Sequence, residues 1–211
     1  MTTDDPATVR QNFRDAAGAF VEVLAGMGDE DWSKPGLGVW TVHELAGHTS
    51  RALITVENYL DPGTTADDPM LSDPLDYFRA VAGSLTNADA IAERGRQAAA
   101  ALGDDPHARV AELATRVLAL VDASPNDALV RSALGTTSTL VVYLPTRTFE
   151  LAVHTLDLAT ATGTAVPAAL ATPLRASLHL AADLADVQGA AAPVLLALTG
   201  RQPLPQGFSV L

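Results

Sequence analysis

The chain has 211 residues, 48% of them hydrophobic and 18% charged, long enough to bury a core and too apolar to stay disordered. Against 25 Asp and Glu stand 13 Lys and Arg, a net charge of −12 that repels phosphate backbones and anionic lipid, so neither a nucleic-acid partner nor a polybasic membrane anchor is expected. No cysteine is present, which excludes disulfides, thiolate metal sites and a cysteine nucleophile; thiol chemistry would need a thiol borrowed from a small molecule. Met1-Thr2-Thr3-Asp4-Asp5-Pro6 has no basic run and no long apolar core, so it does not read as a signal peptide. The apolar runs fall short of the roughly 20 residues that span a bilayer. A soluble, cytoplasmic protein is expected, monomeric or homodimeric, and its abundant alanine favours an all-α fold.

In chain order, Asp5-Pro6 reads as a cap and first turn, and Val9, Phe13, Phe20 and Leu24 recur at helical spacing up to Gly26. Asp31 to Trp40 contains Trp32, Pro35, Gly36, Gly38 and Trp40, the composition of an ordered loop with apolar anchors. Thr41-Val42-His43-Glu44 is a capping box that starts a helix running to about Leu60. Residues 61–73 read as a loop. A helical stretch starts at Asp73-Pro74, breaks around Thr86-Asn87 and ends at Gly103. Another helix is expected over about Pro106–Val121, with a turn at Ser124–Asp127. Leu129–Leu134 reads as extended or irregular. A long helix follows over about Ser138–Ala161, kinked near Pro145 and stopped by Gly163. Two more helices are expected, over about Ala168–Val187 and Ala191–Leu198, before an irregular tail.

The histidines are His43, His48, His107, His154 and His179. His43 falls in the capping box and reads as exposed, and His107 as a surface residue near a helix start. His179 has no ligand-type neighbour. Glu150 and His154 are four residues apart, so on a helix their side chains share one face among apolar neighbours. That spacing suits two ligands to one metal, and equally a self-satisfied pair at the rim of the core. His48 sits on the face shared by Leu45, Ala52 and Val56; it reads as a third ligand or as a core histidine bonded to a carbonyl. Together His48, Glu150 and His154 would make the three-ligand set that leaves one position open on zinc. Asp157 could orient a ligand histidine, or be a solvated acid. Glu44 could do the same, although capping already explains it. Arg147 and Arg51 could hold substrate carboxylates with their guanidinium forks, but ordinary surface arginine is the simpler reading of each.

At these residues a resemblance becomes visible. The segment Gly38-Val39-Trp40-Thr41-Val42-His43-Glu44-Leu45-Ala46-Gly47-His48 resembles the tryptophan-to-histidine signature of the DinB-like metalloenzyme superfamily. The segment Leu144-Pro145-Thr146-Arg147-Thr148-Phe149-Glu150-Leu151-Ala152-Val153-His154-Thr155-Leu156-Asp157 is similar to the mycothiol-dependent maleylpyruvate isomerase family. The tail from Leu198 to Pro205 also looks like that broad family. The resemblance implies a DinB-like four-helix bundle, here over residues 1–163, while residues 164–211 read as a short helical C-terminal extension packed on it. It implies one divalent metal, usually zinc, on His48, Glu150 and His154, with mycothiol as the thiol cofactor. One departure stands out: the isomerase proper carries a larger α/β C-terminal domain that contributes to its active site, whereas the stretch after Gly163 is short and reads as helices. The resemblance therefore speaks for the metal site and the thiol more than for the isomerase substrate.

Three functions follow as expectations. The first is a metal-dependent thiol enzyme, isomerase or S-transferase, acting on a small molecule with a low-molecular-weight thiol; Arg147 (or Arg51) would hold an anionic substrate and Asp157 would support the site. The second is a zinc hydrolase, with Asp157 or Glu44 as base. The third is a metal- or small-molecule-binding module without turnover.

Overall fold

The computed structural model describes residues 5–60, 70–84 and 88–211. Helix α1 spans Pro6–Ala25 and is capped by Asp5, whose carboxylate accepts from the N–H of Ala7 and Thr8. Helix α2 spans Val42–Tyr59. Its capping box is closed in both directions: Glu44 N–H donates to Thr41 Oγ1 at 3.2 Å, and Thr41 N–H donates to Glu44 Oε2 at 2.8 Å. Helices α3 (Pro74–Ser84), α4 (Ala88–Ala100) and α5 (Pro106–Ala123) follow. The expected break around Thr86-Asn87, and most of the expected loop over 61–73, lie outside the described residues. Helix α6 spans Leu140–Thr162 and ends on Gly163, whose φ of 75° is the left-handed geometry glycine tolerates. Helices α7 (Ala171–Val187, entered through a 3₁₀ turn over Ala168–Leu170) and α8 (Ala191–Leu198) complete the chain.

The fold is an all-α bundle in which α1, α2, α5 and α6 each pack against two of the others. Their apolar stripes meet in one core: Phe13, Phe20 and Leu24 from α1, Leu45 and Leu53 from α2, Val110 and Val117 from α5, Leu144, Leu151 and Leu158 from α6. Helix α4 covers α2, and α7 lies on α6 and α1. A second cluster, Phe78, Phe149, Leu180 and Leu184, ties α3 and α7 to α6. Arg10 adds a polar clasp: it donates to the carbonyls of Val121 and Ser124, at 2.5 and 2.7 Å, at the C-terminal end of α5.

A small sheet accompanies the helices, and one of its strands falls in the Leu129–Leu134 segment that reads as extended or irregular. Strands β1 (Met70–Leu71), β2 (Leu129–Arg131) and β3 (Thr137–Thr139) order as β1-β3-β2, with β3 parallel to β1 and antiparallel to β2. The long helix thus begins at Leu140, not Ser138, because Thr137–Thr139 pair with both neighbours first. Residues Ser132–Leu134 of the β2–β3 turn share a cavity wall with residues of α2 and α6.

Glycine 47 sets how closely α4 approaches α2. A Cβ there would lie 2.3 Å from the backbone nitrogen of Ala99, an overlap no rotamer relieves. Gly47→Ala is expected to push the two helices apart and cost about 1–3 kcal/mol, read as a lowered urea midpoint at an unchanged m-value. An unchanged midpoint would mean that α4 does not sit against α2.

Candidate metal centre

The residues converge from two helices. The capping box fixes where α2 starts and so which face His48 occupies, two turns on. Helix α6 carries Glu150 and His154 one turn apart, and Asp157 one turn beyond. His48, Glu150 and His154 each offer one ligand atom, and these atoms all lie within 4.8 Å of one another. The Nε2 of His154 is 3.4 Å from Oε2 of Glu150, close to the separation of about 3.4 Å between neighbouring ligand atoms on a tetrahedral zinc. The rings of His48 and His154 meet edge-on with centroids 4.9 Å apart.

Each member is held in place. Nδ1 of His154 is 3.0 Å from Oδ2 of Asp157; donation from Nδ1 to that carboxylate leaves Nε2 facing Glu150, the arrangement by which carboxylates orient metal-binding histidines. Burial alone would lower the pKa of His154, but the hydrogen bonds to Asp157 and Glu150 raise it to about 9. Burial would raise that of Glu150, yet the His154 hydrogen bond and the charge of Arg147 hold it below the ordinary carboxylate value. Burial, with the nearby His154 charge, pushes His48 down to about 4. His48 is therefore neutral near pH 7, with a lone pair to offer, and its buried Nδ1 has no hydrogen-bond partner. The Trp40 ring stacks on it at 4.4 Å between centroids. Trp40 is itself held by donation from Nε1 to the Ala92 carbonyl at 3.2 Å and by Gly95, where a Cβ would meet the indole at 2.9 Å. Two imidazoles, one carboxylate, a pre-oriented ring nitrogen and an orphaned one fit a single divalent cation.

Beside these residues is a cavity of about 330 Å³, lined by His48 and Glu150 and by three arginines, Arg51, Arg94 and Arg147. In a chain of net charge −12 this wall is locally cationic, and Glu150 is its only carboxylate among the described residues. Arg147 corrects the surface reading: it is 6% exposed, with its guanidinium carbon 4.8 Å from the Tyr77 ring centroid and 5.0 Å from that of Tyr143. Two aromatic faces compensate the buried cation, and Nε donates to Thr146 Oγ1 at 3.0 Å. Glu44 is engaged in its cap and is not among the converging ligand residues. His43 is half-buried, edge-on to Trp32 at 6.0 Å, rather than exposed. His107 is half-buried as well, whereas His179 is exposed.

Sequence reading missed three contributors. Trp40 was an anchor without an assigned partner. Arg94 comes from α4, whose position beside α2 no local signal gives. Ser132, Ala133 and Leu134 of the β2–β3 turn line one side of the cavity; the threonine-rich run Thr136-Thr137-Ser138-Thr139 was the available clue to that hairpin.

Among the described residues no helix is long and apolar enough to cross a membrane. No curated protein and no solved structure matches the chain. A family model does: that of the mycothiol maleylpyruvate isomerase N-terminal domain, over residues 13–159. That span runs from Phe13 within α1 to the last turn of α6, taking in α2, α5, most of α1 and α6, and all three converging side chains. The chain therefore belongs to the family of the mycothiol maleylpyruvate isomerase N-terminal domain.

Proposed function

We propose that the protein is a soluble, cytoplasmic, metal-dependent thiol enzyme that uses mycothiol, of the isomerase or S-transferase type, with residues 1–163 as the metal-binding unit and 164–211 as its helical extension. The observation that carries this reading is the convergence of His48, Glu150 and His154 at the wall of a cationic cavity in a cysteine-free chain of this family. In this reading the three side chains hold one divalent cation, zinc by preference. Bound there, the metal would supply an open position on which the sulfur of mycothiol ionises to the reactive thiolate.

The chain's own residues do the rest. Asp157 holds the His154 ring, and with it the direction of Nε2. Trp40 covers His48 and keeps water from one side of it. Arg147, fixed between two tyrosines, presents a permanent cation toward the cavity, and Arg51 and Arg94 widen that field. An electrophile with a carboxylate group would be drawn in against the net charge of the chain and oriented by these forks.

The hydrolytic alternative needs a base in the cavity; Glu44 bonds within its cap, Asp157 bonds to His154, and neither lines the cavity among the described residues, which favours the thiol reading.

The test is spectroscopic. Adding mycothiol to the zinc-loaded protein should bring a sulfur scatterer to about 2.3 Å from the metal by X-ray absorption, and adding it to the cobalt-loaded protein should give a thiolate-to-metal absorption band. A metal spectrum unchanged by millimolar mycothiol would overturn the thiol reading.

A further inference from the structure

We propose that the substrate taken by the cavity beside the metal centre is a monocarboxylate with an elongated apolar body ending in a ring, rather than a compact dicarboxylate. The inference rests on the metal-dependent reading above and names the substrate class for that same site. The cavity, about 330 Å³, follows α2: His48, Arg51, Ala52, Thr55 and Tyr59 all line it. Steps of three or four residues keep them on one helix face, so this wall runs for about 16 Å along the helix axis. Helix α6 runs the opposite way beside it. His154 meets His48 at one end, with ring centroids 4.9 Å apart, and Tyr143 meets Tyr59 at the other, at 6.3 Å. The metal centre and an aromatic cluster therefore mark opposite ends of one seam.

The wall divides in chemistry. Arg51 and Arg94 line the cavity and are half-buried, so they keep surface to offer a ligand. Their charges add to burial in keeping His48 neutral, which places them near the metal end. Neither forms an ion pair among the described residues. Arg147 adds to the field but little to the contact surface: it is 6% exposed, and its guanidinium lies against the Tyr77 and Tyr143 rings. Beyond Arg51 on α2 the wall turns aromatic at Tyr59, and Tyr77, Ile91 and Leu134 extend it from α3, α4 and the β2–β3 turn; all four are half-buried and line the cavity. One carboxylate suits the two reachable guanidinium groups. A second would have to leave water for aromatic and aliphatic side chains, which is costly without a partner. A ring buried there instead gains about ten- to a hundredfold in affinity.

Four trans-alkenes with a common core test this on the zinc-loaded, full-length protein: cinnamate, crotonate without the ring, fumarate with a carboxylate in place of the ring, and cinnamamide without the charge. Saturation-transfer NMR should show cinnamate binding with a dissociation constant of about 0.1–1 mM, as expected for a probe of this size, and each of the others at least about tenfold weaker. Leu134→Asn should weaken cinnamate about threefold to tenfold and leave crotonate within about twofold. Arg51→Gln should weaken cinnamate about tenfold and leave cinnamamide unchanged. The proposal is overturned by absence of transfer at about 5 mM cinnamate, by any of the other three compounds matching it, or by wild-type cinnamate affinity in both variants. Should Leu134→Asn fail to fold, Arg51→Gln and the ranking of the four compounds decide the matter. No thiol enters these measurements: mycothiol that leaves the metal spectrum unchanged would sink the thiol reading alone, and a failed ranking would sink the substrate class alone.

Discussion

Replacing His154 by alanine is expected to abolish metal binding, leaving no stoichiometric metal at micromolar protein. His154 is the one side chain in contact with both Glu150 and Asp157, and without it His48 and Glu150 alone make too poor a donor set to hold zinc. Asp157→Asn should behave differently. The amide still accepts from Nδ1 but no longer brings a negative charge, so affinity should fall by about 10–100-fold, the usual cost of losing a carboxylate behind a ligand histidine. Elemental analysis and competition with a chelating dye separate the two variants. Complete loss in both would make Asp157 itself a ligand; retained stoichiometry in His154→Ala would remove the site from α6.

The metal-free protein should be most stable near pH 6.5 and lose stability on both sides, for a different histidine on each. His154 has its folded pKa raised from 6.5 to about 9. Its contribution is fully present below 6.5 and is lost as pH rises through 9. His48 has its folded pKa lowered from 6.5 to about 4, so the unfolded chain takes up that proton first and stability falls as pH drops from 6.5 toward 4. Each shift corresponds to about 3 kcal/mol. Against burial, Asp157 and Glu150 hold the proton on His154, while burial above all, helped by the His154, Arg51 and Arg94 charges, keeps His48 neutral. His154→Ala should flatten the alkaline limb and His48→Ala the acid one, in urea titrations across pH 4 to 9.

The same protons compete with metal. Binding must displace the one on His154, so apparent affinity should climb about tenfold per pH unit between about 5 and 9 and then level off. Saturating zinc should accordingly abolish the alkaline loss of stability. A pH-independent affinity over that range would mean that His154 is not a ligand.

The parts of this architecture that the chain announces are those with local signals. Asp5-Pro6, the Thr41–Glu44 box and Gly163 mark helix ends because capping uses groups within a few residues of one another. The i, i+4 pair Glu150 and His154 follows from helix geometry alone. What depended on partners distant in sequence did not show. Strand β3 pairs with Met70–Leu71, far upstream, and that pairing overrode the apolar periodicity that would begin the helix at Ser138. Arg147 read as a surface residue because half of its enclosure comes from Tyr77 on α3. The other half, Tyr143, lies one turn away on the same helix and could have hinted at it.

The contact between Trp40 and His48 gives the centre an optical reporter of its own. The chain has two tryptophans, and they divide the histidines of α2 between them: Trp32 meets His43, and Trp40 lies flat on His48. An open-shell ion such as cobalt or copper on His48 would sit within contact-quenching range of the Trp40 indole. Emission from Trp40 should therefore follow occupancy of the centre, and a Trp32→Phe variant would need no added dye to be titrated.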